Sequence, residues 1–132
     1  MTGDRQAFEY AVIRVMPRVD RGELINAGVV LYCRPLGFLG IRLDLDAQRI
    51  LALDPAADLT SIERALLAVA EVCDQSPAAG AAAQQDIGRR FRWLTAPRST
   101  VVQPGPVHTG LTDDPAAELD RLLAVLVRRP GL

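Results

Sequence analysis

Apolar and polar positions repeat with different periods along the chain, and the changes of period mark its predicted elements. Phe8 to Met16 (FEYAVIRVM) and Leu24 to Cys33 (LINAGVVLYC) are rich in β-branched and aromatic residues. Neither alternates cleanly, which predicts strands covered on both faces. PRVDRGE between them supplies Asp20 and Gly22 as turn residues, so the two strands are expected to pair antiparallel. After an RPLG turn the pattern becomes strictly alternating. Leu39, Ile41, Leu43 and Leu45 fall on one face, with Gly40, Arg42 and Asp44 on the other, the signature of a half-solvated third strand.

Helical periods follow. AQRILALD, from Ala47, suits either a short helix or an extended piece ended by Pro55. Thr60, Ser61, Ile62 and Glu63 form an S/T-x-x-E capping box. The helix it opens, running to about Gln75, carries Ile62, Leu66, Val69 and Cys73 on one face. Ser76 to Ala83 (SPAAGAAA) reads as a loop, Gln84 to Leu94 as a short helix, and Ser99 to Gln103 as a strand broken by Pro104, Gly105 and Pro106. Asp114 as N-cap and Pro115 in the first helical position open a last helix with Leu119, Leu122, Leu123, Leu126 and Val127 at helical spacing. This order predicts a single α+β domain over residues 1–132. Three N-terminal strands plus one later strand make a mainly antiparallel sheet, with the two main helices, from Thr60 and Asp114, on one face.

Composition narrows the chemistry. At 132 residues and 49% apolar content, the chain can bury a core without disulfides or metal. No apolar run approaches the roughly 20 residues of a membrane span, and MTGDRQAFEY lacks a signal-peptide core, so a cytoplasmic protein is expected. Cys33 and Cys73 stand apart in apolar contexts and read as core thiols, with no metal site and no cofactor implied. Every basic side chain is Arg, which excludes Schiff-base chemistry and a Walker-type phosphate-binding Lys.

The net charge of −1 is unevenly spread. Residues 44–86 hold eight acids against Arg49 and Arg64, a balance of −6, whereas residues 87–110 hold four arginines and no acid, +4. Self-complementarity between the two stretches is one reading, and an anionic ligand or a partner protein is the other.

The candidate chemistry sits in Arg89 to Gly110, RRFRWLTAPRSTVVQPGPVHTG, which holds the only Trp and the only His. His108 has Ser99, Thr100 and Thr109 nearby in sequence but no G-x-S-x-G elbow, so it reads as a structural hydrogen-bonder before a general base. Arg89, Arg90, Arg92 and Arg98, interleaved with Phe91 and Trp93, have the composition of a phosphate or nucleic-acid site. The alternative is that both aromatics are core anchors and Arg89 and Arg92 pair with the acidic helix after Thr60. Net acidity argues against nucleic acid. Asn26, in an apolar strand two residues before Gly28, either stabilises a bulge or faces a ligand. Asp113 and Asp114 are explained as helix capping. Acting together, Arg90, Arg98, Ser99 and His108, joined by Asn26 from the hairpin, would form an anion site.

YAVIRVMPRVDRGELINAGVVLY (Tyr10 to Tyr32) and RFRWLTAPRSTVVQPGPVHTGLTDDP (Arg90 to Pro115) resemble the bacterial Domain of Unknown Function 3037 family, DUF3037. The family-like positions are Arg21, Gly22, Glu23, Asn26 and Gly28 in the first block. In the second they are Arg90, Phe91, Trp93, Arg98, Ser99, His108, Gly110 and Leu111. The resemblance implies a small stand-alone protein encoded beside HipA-like protein kinases, and no reaction. With one His, no Lys and three Ser, the expected role is a non-catalytic partner of another protein, with a HipA-like kinase as the implied candidate. The alternative is an anion-binding module, or an enzyme, acting on a phosphate-containing or RNA ligand through Arg89 to Gly110. A homodimer is compatible with either.

Overall fold

Strand β1 (Gln6–Val15) organises the sheet because it is paired along both edges. On one side lies β2 (Ile25–Cys33), antiparallel from Glu9↔Tyr32 to Val15↔Ile25, and β2 in turn pairs with β3 (Phe38–Leu43). On the other side two short strands share the edge. β4 (Val102–Pro104) covers Ile13 to Val15, and β5 (His108–Thr112) covers Gln6 to Tyr10. The computed structural model describes residues 4–75 and 77–130; Ser76, the first residue of the expected loop, lies outside them.

The α+β class and the three N-terminal strands agree with the sequence pattern. Pro104-Gly105-Pro106 does more than end a strand. It separates two strands on the same edge, β5 being the one that sequence periodicity missed, and β4 begins later than the expected Ser99. Five residues ending in Gly-Leu-Thr are too short and too mixed to carry a period-2 signal.

Helices cover both faces of the sheet, where one covered face was expected. Ile13, Val15, Ala27, Val30 and Ile41 pack against α1 (Ala47–Leu53), α2 (Leu59–Cys73) and α3 (Ile87–Thr95) through Ile50, Leu66, Val69, Phe91 and Leu94. Phe8, Val29, Leu31 and Cys33, on the opposite face, pack against Leu119, Leu122 and Leu123 of α4 (Pro115–Leu126). β1 and β2 are thus sandwiched, which is why their sequences do not alternate. The alternation of β3 is kept, with Leu39, Leu43 and Leu45 against the first cluster and Arg42 paired to Asp120 of α4 at 3.1 Å.

An aspartate caps each helix. Asp46, Asp58, Asp86 and Asp114 accept the backbone N–H of Arg49, Ser61, Arg89 and Ala117. The N-cap of α2 is therefore Asp58, not Thr60. The Asp58 carboxylate also accepts the Ser61 hydroxyl at 2.7 Å, a charge-assisted bond. Residues Pro77–Gln84, which take in the rest of the expected loop and the first residue of the expected short helix, form short 3₁₀ turns broken at Gly80, and the helix itself begins at Ile87.

Candidate functional site

A cleft of about 590 Å³ opens between α2, the α1–α2 turn and the segment leading into β4. Its floor is apolar: Ile62, Ala65 and Val69 from α2 face Val101 and Val102. Its walls carry opposite charges. Asp54 and Asp58 stand on one side and Arg98 on the other, and the Ser61 and Thr100 hydroxyls, which donate to Asp58 and to the Val102 carbonyl, also line it. Hydrogen bonds from Ser61 hold the Asp58 carboxyl below its ordinary value, so it is ionised at neutral pH.

Arg98 is held in place without a carboxylate. Its guanidinium lies over the Trp93 ring at 4.0 Å and donates through Nη2 to the Trp93 carbonyl at 2.5 Å. Partial burial pushes its pKa down, the opposite of the upward shift that ion pairing with Asp20 gives Arg18. The cation stays charged, lines the cleft, and among the described residues only its Nη2 is engaged in a hydrogen bond. Val102 explains why the cleft is not closed by a further strand. Its carbonyl accepts the Thr100 hydroxyl at 2.6 Å, Pro104 has no N–H, and the β4 edge is thereby blunted.

The five residues expected to act together do not converge. Arg98 lines the cleft, while its neighbour Ser99 is exposed and not part of the lining. Arg90, 7% exposed, is buried in α3, with no hydrogen-bond partner for its Nε. His108 begins β5 opposite Tyr10, the ring centroids 5.3 Å apart, on the face covered by α4. The sheet stands between it and both arginines. Asn26 is also on the α4 face, and its amide donates to the Leu126 carbonyl at 2.9 Å. The β1–β2 register slips at that point, with Ile13 opposite Gly28 and Arg14 opposite Asn26, so Asn26 belongs to a bulge.

Other sequence expectations are corrected in the same region. Phe91 is a core anchor, but Trp93 is 42% exposed and serves as a platform for Arg98. Arg92 pairs with Glu9 of β1 at 2.8 Å, not with α2, and Arg89 lies 3.9 Å from Asp86 on its own helix. Much of the acidic stretch is engaged elsewhere, Asp44 and Asp46 with Arg128 and Arg129 near the end of the chain and Asp58 and Asp86 as helix caps. Asp54, Asp58, Ser61 and Thr100 escaped the sequence reading as lining residues. Asp-x-x-Ser is a capping signal, and nothing in it announces a cleft.

The sequence profile of the family described as "Protein of unknown function (DUF3037)" matches residues 10–127. The chain belongs to the DUF3037 family. No curated protein and no solved structure matches it. The match takes in both motif blocks of this DUF3037 protein, the β1–β2 hairpin and the stretch from Arg90 through the α4 cap, and with them Arg98 and the β4 side of the cleft. Among the described residues no helix is long and apolar enough to cross a membrane, and no group of three or more metal-ligating side chains is assembled.

Proposed function

We propose that this DUF3037 protein is a non-catalytic binding module that holds a segment of a partner protein in the α2–β4 cleft. The supporting observation is Arg98, a cation with no carboxylate partner among the described residues, braced on Trp93 at the rim of an apolar floor. That combination suits an apolar side chain with a neighbouring carboxylate. The apolar group fills the space over Ile62 and Val69, and the acid meets the guanidinium fork. Asp54 and Asp58 on the far wall disfavour a purely anionic ligand and favour one with a basic or N–H donor group at its other end. His108 lies across the sheet and does not reach the cleft.

The HipA-like kinase implied by the family resemblance is the first partner to test. Co-expression followed by size-exclusion chromatography should give a stable complex that Ala68→Trp, which fills the cleft from an exposed helix position, and Arg98→Ala both weaken. Charge reversal at Glu63 and Glu71 tests the outer, acidic side of α2. A complex indifferent to Ala68→Trp and Arg98→Ala moves the interface elsewhere; independent elution of the wild-type pair removes the kinase. A second reading, an anion-binding module, also draws on the braced Arg98. It predicts that a small carboxylate or phosphate compound binds alone and that Arg98→Ala abolishes that binding.

A further inference from the structure

The opposite end of α3 holds a second cavity, of about 380 Å³, on which the cleft reading does not depend. α3 begins at Ile87, and the Asp86 side chain satisfies only the Arg89 N–H, at 2.8 Å. Among the described residues the N–H groups of Ile87 and Gly88 have no acceptor, and Gly88 lines the cavity at the positive end of the helix dipole. Tyr32 of β2 enters from below. It is 9% exposed, its ring is packed 5.3 Å from that of Phe91, and among the described residues its hydroxyl makes no hydrogen bond and opens into the cavity. Gly88 keeps that opening, because a Cβ there would stand 3.0 Å from the Tyr32 hydroxyl. Arg34, from the β2–β3 turn, and Arg89 complete the rim. Arg92 is engaged by Glu9 and Arg89 lies 3.9 Å from Asp86, so three guanidiniums face two carboxylates, the balance is positive, and Arg34 has no carboxylate partner among the described residues.

We propose that this cavity is a binding site for a phosphate group. The Tyr32 hydroxyl and the Ile87 and Gly88 N–H groups donate to the phosphate oxygens, and the Arg34 and Arg89 guanidiniums close over them. A tetrahedral dianion uses donors arriving from several directions, which a helix end, a phenol and two guanidiniums supply together. Neither a hydrophobic group nor a cation matches that set.

Inorganic phosphate, phosphoserine and AMP should be titrated separately into the full chain while the backbone amide signals of Ile87 and Gly88 are followed by NMR. Saturable shifts at these two amides are expected, and the compound that binds tightest identifies the source of the phosphate. Tyr32→Phe keeps the packed ring and Arg34→Ala lies on an exposed turn, so both variants retain the fold. Each should weaken binding by about tenfold, the loss of one charge-assisted hydrogen bond. Arg98→Ala, at the far end of α3, should leave it unchanged. Absence of saturable shifts with all three compounds overturns the proposal, as does binding that Tyr32→Phe and Arg34→Ala leave unaltered.

Discussion

Asn26 and Leu126 are 100 residues apart in sequence, and the Asn26 amide donates to the Leu126 carbonyl at 2.9 Å. That carbonyl belongs to the last turn of α4, where no backbone donor is available within the helix. The β2 bulge aims Asn26 at it, so the bulge and the end of α4 are held by one bond. Replacing Asn26 with Ala leaves the carbonyl without this partner. A loss of about 1–2 kcal/mol in urea unfolding is expected. Unchanged stability would show the tether to be dispensable.

Gly28 should tolerate no side chain. A Cβ there would lie 2.5 Å from Leu43 Cδ2 and 2.7 Å from the Arg42 carbonyl oxygen. The second of these is backbone in a paired strand and cannot yield. Gly28→Ala is expected to cost about 1–3 kcal/mol, the range for overpacking a filled site. For Gly105→Ala the nearest atoms are those of the Arg14 guanidinium, at 2.9 Å, the far end of a long side chain, and the substitution should cost less in the same assay.

The two capping assignments for α2 separate by mutation. Asp58→Ala should destabilise the protein by about 1 kcal/mol, whereas Thr60→Ala, which touches no cap, should change stability little. Thermal unfolding of the two variants side by side checks this, and the reverse order would restore Thr60 as the cap.

Burial raises the Cys73 thiol from an ordinary value near 9.0 to about 12, with Asp74 adding to the shift and Arg90 and Arg42 opposing it. A thiol held neutral in the fold contributes stability that is complete below the unfolded value. The contribution falls as pH rises through 9 toward 12, because only the unfolded chain then releases the proton. The slope approaches roughly 1.4 kcal/mol per pH unit in that window. Cys73→Ala should flatten the alkaline limb of stability against pH. Labelling of native Cys73 by a thiol reagent at pH 8 should wait on local or global unfolding.

Part of this structure follows from local chemistry and was legible without coordinates. Continuous β-branched runs identified β1 and β2. Strict alternation put Leu39, Ile41 and Leu43 on one face of β3, and Asp114-Pro115 opened α4 at the right residue. Each is a property of neighbours in sequence, governed by backbone sterics and by the two side-chain periods. What the tertiary structure decided concerns partners far apart in the chain. Period tells which face of α4 is apolar but not which side of the sheet receives it. That choice put His108 and Asn26 across the sheet from Arg90 and Arg98. Proximity in the Arg89–Gly110 segment suggested one site, whereas the Pro-Gly-Pro break sends its two ends to opposite faces. Trp93 and Phe91 differ by two positions in an amphipathic helix, so one is buried and the other is left outside for Arg98 to cover. Local sequence pattern identified β1 to β3 and the helices α2, α3 and α4, but it missed β5 and left α1 open between a helix and an extended piece. Only the packing of β1 between two layers determined which charged groups share a cavity, because burial is settled by contacts that local pattern does not encode.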